Sequence, residues 1–281
     1  MKKKLTFKKV ITKTLFILCL LVFIVFICLP IYWCLATSLK TQPEVISKNV
    51  VFWPAKPYWQ NYVDAWIGSD FRLYFGNSLF KTLFGVVGIV LVSLLTGYAL
   101  DRYKFKGKNA FMLALLCTQF IPGAMLLTPM YLIFRNLKML DSLWALVLVD
   151  ITFRFPYDSI MMRSFIHGID YTIEEAAQID GCSRIGTMFR VLLPLLKPGI
   201  ATVAAYAFIS CWNEFLYSYM FIDSMQRRTI PVALNSLIGE FSVNYGKLAA
   251  GAIIAVVPTI LLFSYVQKHL VGGIAAGAVK G

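Results

Sequence analysis

The chain has 281 residues, of which 59% are hydrophobic and only 15% charged, with a mean hydropathy of +0.71. A soluble domain carries about 25% charged residues and could not hide this much apolar surface, so the composition excludes a soluble fold and predicts an all-α protein crossing a membrane several times. The formal net charge of +13 would suggest nucleic acid in a soluble protein, but here the basic residues flank apolar runs, which fits membrane topology and anionic lipid headgroups.

Residues 1–14 form a basic start, "MKKKLTFKKVITK" followed by Thr14, ahead of an apolar run over 15–39. The run is too long for a signal-peptide core and has no A-x-A site, so it predicts an uncleaved membrane anchor. Five more runs are long enough to span, at 77–100, 110–134, 143–166, 199–222 and 248–267. The organisation expected is therefore a basic terminus (1–14), a first span with an outer segment (15–76), a five-helix core (77–267) and a tail (268–281). Six basic residues precede span one, four lie in 101–109 and four in 163–198. This bias predicts both termini and residues 172–198 in the cytoplasm, with 40–76 and 223–247 outside. The segment "FWPAKPYWQNYVDAWIGSDF" is rich in aromatics and proline, as suits a membrane surface.

Cys19, Cys28, Cys34, Cys117, Cys182 and Cys211 form no C-x-x-C, and five lie in apolar runs, so they read as small packing residues. His167 and His269 have no ligand-like companions. Neither a metal nor a cofactor is expected.

Span four holds Asp150 and Arg154, four apart and followed by Pro156, which predicts an internal i,i+4 ion pair. The charged stretch after it is unlike its surroundings. Thr172 and Glu175 have capping-box spacing, so a helix is expected to start at Thr172, with Glu174 and Glu175 in its acidic first turn. Ala176 and Ala177 favour helix with little bulk, and Asp180-Gly181 ends it. Ser183 is placed to cap a second helix, on which Ile185, Met188, Phe189 and Leu192 would form one apolar stripe until Pro194. The product is a rigid acidic peg able to fit a partner's socket. In span five, Trp212, Phe215 and Tyr219 are spaced for one helix face, beside Asn213 and Glu214. They fit either a polar path through the membrane, or an interfacial belt with a helix-pinning pair.

The run Glu175-Ala176-Ala177, Asp180-Gly181, Phe189, Leu193-Pro194 resembles the EAA loop of ABC importer permeases, with Cys182 standing where that family usually has a small alanine. "NSLFKT", "DRYKFKGKN", "WNEFLYSYMFI", "RRTIPVAL" and "HLVGGIAAGAVKG" resemble the carbohydrate branch, the maltose-permease second subunit and its relatives. The resemblance implies a type I ABC importer transmembrane domain of six helices in a bacterial or archaeal cytoplasmic membrane. It implies ATPase coupling through Glu174, Glu175, Ala176, Ala177, Asp180 and Gly181, and a tail contact with the ATPase through Gly277, Val279, Lys280 and Gly281. It implies as partners a second permease subunit, a dimer of ATP-binding subunits and an extracytoplasmic solute-binding protein, with a sugar or oligosaccharide as cargo. Candidates for the path are Trp212, Asn213, Glu214, Phe215, Tyr219 and Arg154, and an Arg154 facing the path would favour an anionic sugar. No G-x-x-x-x-G-K-[ST] loop is present, so ATP must be hydrolysed on another chain, and no nucleophile–base set suggests an enzyme. A permease for polyamine, phosphonate or peptide would share the loop. A secondary transporter or a membrane anchor would not need it.

Overall fold

The computed structural model describes residues 7–239 and 243–278. The main helices are α1 (Phe7–Ser38), α2 (Gln60–Trp66), α3 (Phe71–Arg102), α4 (Lys108–Thr118), α5 (Leu127–Asn136), α6 (Leu143–His167), α7 (Tyr171–Ile179), α8 (Arg184–Thr187), α9 (Lys197–Asn213), α10 (Leu216–Phe221), α11 (Ile230–Ser236) and α12 (Tyr245–Ala278). Apart from one isolated bridge between Ile238 and Val243, the described residues form helices and their connections.

Among the described residues, three stretches are single helices long and apolar enough to cross a membrane: Ile11–Ser38, Phe71–Arg102 and Tyr245–Gln267. The expected third span is not straight. It bends by 92° between Lys108–Thr118 and Gly123–Asn136, around Ile121-Pro122. The approach to the fifth turns by 76° between Arg184–Leu195 and Lys197–Asn213. α6 is 25 residues long, enough to span at 1.5 Å per residue, but carries Asp150, Arg154, Asp158 and Arg163.

The chain divides into two compact units. The first comprises residues 1–71 and 236–255. Side-chain amides hold it together. Asn61 donates to the carbonyls of Ser38 (3.0 Å) and Lys40 (2.8 Å). Gln42 donates to the Val243 carbonyl (2.7 Å) and accepts from the Tyr245 amide (3.1 Å). Gly246 is needed for this closure, because a Cβ there would sit 2.5 Å from the Asn61 amide nitrogen and 2.9 Å from the Lys40 carbonyl. Tyr32 stacks on Trp53 and Trp33 meets Phe52 edge-on.

The second unit comprises residues 72–235 and 256–281. One core joins Leu94 of α3, Met162 and Ile166 of α6, and Val203 of α9 to Met188, Leu192 and Leu196. Another joins Phe134, Leu146 and Val149 to Tyr217 and Phe221. The backbones of α3 and α6 touch at Gly97, where a Cβ would lie 2.9 Å from the Arg163 amide nitrogen.

Candidate functional site

α7 is a compact peg, but its cap is not the one expected. Asp170 is the N-cap, and its carboxylate accepts the Thr172 amide at 3.0 Å. Thr172 is already inside the first turn, so the Thr172–Glu175 capping box does not form. The C-terminus matches expectation. Gly181 takes φ +91°, its amide reaches the Gln178 carbonyl and the Cys182 amide reaches the Ala177 carbonyl, closing a Schellman motif. Ser183 then caps α8 by accepting the Gly186 amide at 3.1 Å.

The expected single stripe on the second helix is split. Residues Met188–Leu192 form a π turn, in which the Leu193 amide reaches back to the Met188 carbonyl. A regular turn here would press the Pro194 ring on the Arg190 carbonyl, and the wider turn relieves that clash. Met188 and Leu192 thus enter the core, while Ile185 and Phe189 stay exposed. Together with Glu175, Ala176, Asp180 and Ile179, which is 86% exposed, they give the peg a bare, largely apolar face.

Glu174 does not join that face. It is 1% exposed and accepts Arg102 Nε at 2.7 Å and the Tyr98 hydroxyl at 3.1 Å. Arg102 also donates through Nη2 to the carbonyls of Ile166 (3.2 Å) and Ile169 (2.9 Å), and through Nη1 to Asp101 (2.6 Å). Expecting Glu174 to meet a partner's cleft was therefore mistaken about its direction, because its carboxylate is consumed within the chain.

A second polar cluster lies among α3, α6 and α9. Lys81, buried to 1%, approaches Asp150 at 3.1 Å and Glu214 at 3.4 Å, and donates to the Cys211 carbonyl at 2.9 Å. Arg154 pairs with Asp158 at 2.9 Å, not with Asp150. Both pairs have i,i+4 spacing along α6, and the buried lysine takes Asp150 out of competition. The Arg154 guanidinium lies 4.1 Å from the Tyr206 ring centre, and Tyr157 packs on Tyr206 at 5.4 Å. Neither tyrosine was singled out by the sequence, and a tyrosine one turn from an intramembrane arginine was the signal available for Tyr157.

Span five is interrupted where the sequence predicted continuity. α9 ends at Asn213, and Glu214 is extended with ψ 119°. Its carboxylate accepts the amides of Tyr217 (2.6 Å) and Ser218 (3.0 Å) and the Ser218 hydroxyl (2.7 Å), thereby capping α10. The break removes the common face expected of Trp212, Phe215 and Tyr219. Trp212 is 3% exposed and stacked with Phe208 and edge-on to Phe75. Phe215 and Tyr219 stack on each other and are exposed, as is Asn213. Gly277 lies in the last turn of α12. Val279, Lys280 and Gly281 lie outside the described residues.

Residues 89–275 match the family described as binding-protein-dependent transport system inner membrane component. The sulfoquinovosyl glycerol transport system permease protein SmoH of Agrobacterium fabrum is 34% identical over 252 residues, covering 90% of this chain and 88% of that one. The diacetylchitobiose uptake system permease protein DasC of Streptomyces coelicolor is 33% identical over 252 residues, covering 90% and 91%. A chain of a solved bacterial ABC transporter involved in the import of the acidic polysaccharide alginate has the same fold, with a TM-score of 0.82 at 23% identity, over 94% of this chain and 98% of that one.

The match to permease relatives over most of the chain makes it a transporter permease subunit rather than an enzyme. The chain belongs to the family of inner membrane components of binding-protein-dependent transport systems.

Proposed function

We propose that this chain forms half of the translocation path of an ATP-driven sugar or oligosaccharide importer. In this reading it pairs with a second permease subunit over a dimer of ATP-binding subunits, and an extracytoplasmic binding protein delivers the cargo. Both termini and the α7 peg face the cytoplasm. The observation that carries the reading is the bare face of Glu175, Ala176 and Ile179 on a helix capped at both ends, with Ile185 and Phe189 exposed on the turns that follow it. A capped helix with an apolar exposed face is a stiff docking part, and such patches mark partner surfaces. Ala177, Asp180 and Gly181 hold its shape, and Gly277, Val279, Lys280 and Gly281 form a further contact with the ATPase. Sugar as cargo is supported by relatives named for sulfoquinovosyl glycerol and diacetylchitobiose.

The path face is drawn from Arg154, Asn213, Phe215 and Tyr219, with Tyr157 and Tyr206 added. All carry polar or aromatic groups that are exposed or half-buried. The stacked Trp212 and the capping Glu214 act as supports. Asp158 neutralises Arg154, so the aromatic faces, which suit neutral sugar rings, carry more of the recognition than the charge. The test is reconstitution with the ATPase and binding protein. ATP-dependent sugar uptake is expected, and Glu175→Lys should abolish it by displacing the ATPase. Normal uptake in that variant would refute the docking role.

A further inference from the structure

The α7 peg is joined by backbone to α6 before it and, through α8 and the π turn, to α9 after it. No short connection joins it to α3. That link is made by side chains, and its centre is the buried Arg102–Glu174 ion pair. Glu174 of α7 accepts Arg102 and Tyr98 of α3, at 2.7 and 3.1 Å. The same guanidinium donates to the Ile166 and Ile169 carbonyls, at the end of α6 and just beyond it. Asp101, which accepts the remaining arm, also faces His167 at 3.1 Å and Arg163 at 3.7 Å. One planar cation thus serves three helices. A lysine ammonium has no fixed fork and could not hold these directions together. The backbones leave no slack either, since a Cβ at Gly97 would lie 2.9 Å from the Arg163 amide and 3.1 Å from the Ser159 carbonyl.

We propose that Arg102 and Glu174 are positioning residues that lock the peg to the end of α3. A stroke delivered to α7 then moves α3 and α6 as one body, and does not dissipate by bending the loop. This rests on the docking reading above and assigns the two adjacent glutamates opposite duties. Glu175 faces the motor, and Glu174 faces the gate helices. A loose surface ion pair could not carry such a load, because its partners separate at little cost in water. Burial removes that freedom, since each charge would be stranded by parting.

The experiment uses the complete assembly of both permease subunits, ATPase and binding protein. In Glu174→Gln, the ATPase is expected to copurify in the usual ratio while solute moved per ATP hydrolysed falls by roughly tenfold. Arg102→Lys should lie between that variant and the unmodified assembly, whereas Glu175→Lys should lower ATPase copurification itself. An unchanged solute-to-ATP ratio in assembled Glu174→Gln would overturn the lock and leave docking intact. Failure of the unmodified chain to bind any ATPase would overturn both. Should the variants not assemble, bio-orthogonal spin labels at the exposed positions Lys104 and Thr172 report on the otherwise unaltered assembly. Their separation should stay fixed between nucleotide-free and ATP-bound states. A change beyond about one helical turn, ~5 Å, would overturn the lock.

Discussion

Lys81 and Glu214 lie 3.4 Å apart, and the same glutamate oxygen that faces the lysine accepts the Ser218 amide and hydroxyl. The break in span five is therefore held by a charge on α3. Lys81 also serves Asp150, so one cation compensates two carboxylates. Lys81→Met strands both, and the expected loss is about 3–5 kcal/mol, the cost of removing one member of a buried ionic group. Thermal unfolding in lipid nanodiscs measures it. Replacing Asp150 with Leu in the same chain should recover part of the loss, and no recovery would show that the lysine acts by packing alone.

Gly181 holds φ +91° with open space around it, so steric collision plays no part there. Gly181→Ala pays only the left-handed backbone cost, about 1–2 kcal/mol. The Schellman bonds from Gly181 and Cys182 should weaken, and amide exchange in residues 180–182 should quicken. Gly181→Asn should exchange more slowly than Gly181→Ala, because asparagine tolerates this conformation better.

How far the site could be read in the sequence varied with the range of the interaction. Gly181 and Ser183 were legible because their roles are set by neighbours within three residues. Asp170 was missed because two capping residue types, Asp170 and Thr172, stand two apart, and only the chain's exit from α6 decides between them. The partner of Asp150 was not legible, since i,i+4 spacing offers Arg154 equally to Asp150 and Asp158, and the deciding Lys81 is distant in sequence. The interruption at Glu214 carries no glycine or proline. It is made by a carboxylate that substitutes for backbone acceptors, which no local breaker signal announces. Six straight spans were expected; among the described residues three helices qualify, or up to five when each bent pair counts as one, and the continuity of the expected third and fifth is broken at Pro122 and Glu214.

Asp141 joins the end of α5 to the segment after α10. It takes φ +54°, accepts the Ser224 amide at 3.0 Å and hydroxyl at 2.8 Å, and faces Arg227 at 3.1 Å. Burial alone would raise its carboxyl, but the Ser224 bonds and the Arg227 charge hold it below its usual 3.8. A depressed carboxyl contributes stability that is fully present above the unfolded value and is lost as pH falls through the folded one. The clip should thus be unchanged from pH 8 to about pH 5 and open only in acid below the ordinary carboxylate range. Asp141→Ala should remove about 1–2 kcal/mol at neutral pH. Amide exchange at Ser224 against pH checks both, and a loss of protection between pH 7 and 5 would refute the assignment.

An Arg154 facing the path would favour anionic cargo, but its surroundings point to another duty. Its partner Asp158 is fully buried, so Arg154→Gln leaves an uncompensated carboxylate inside the bundle. Uptake of uronate-bearing and neutral oligosaccharides should therefore fall together, by a common factor that follows the loss of assembled protein. Tyr206→Ala removes an exposed aromatic face but no charge, and aromatic contacts of this kind contribute about 0.5–1.5 kcal/mol. Its effect should be an uptake loss of several-fold in an assembled complex, graded with the length of a neutral oligosaccharide. Competition uptake of two radiolabelled sugars of equal length, one acidic and one neutral, separates the possibilities. A selective loss of the acidic sugar in Arg154→Gln would restore the guanidinium to the role of a selectivity charge, whereas parallel loss that follows the amount of assembled protein assigns it to compensating Asp158.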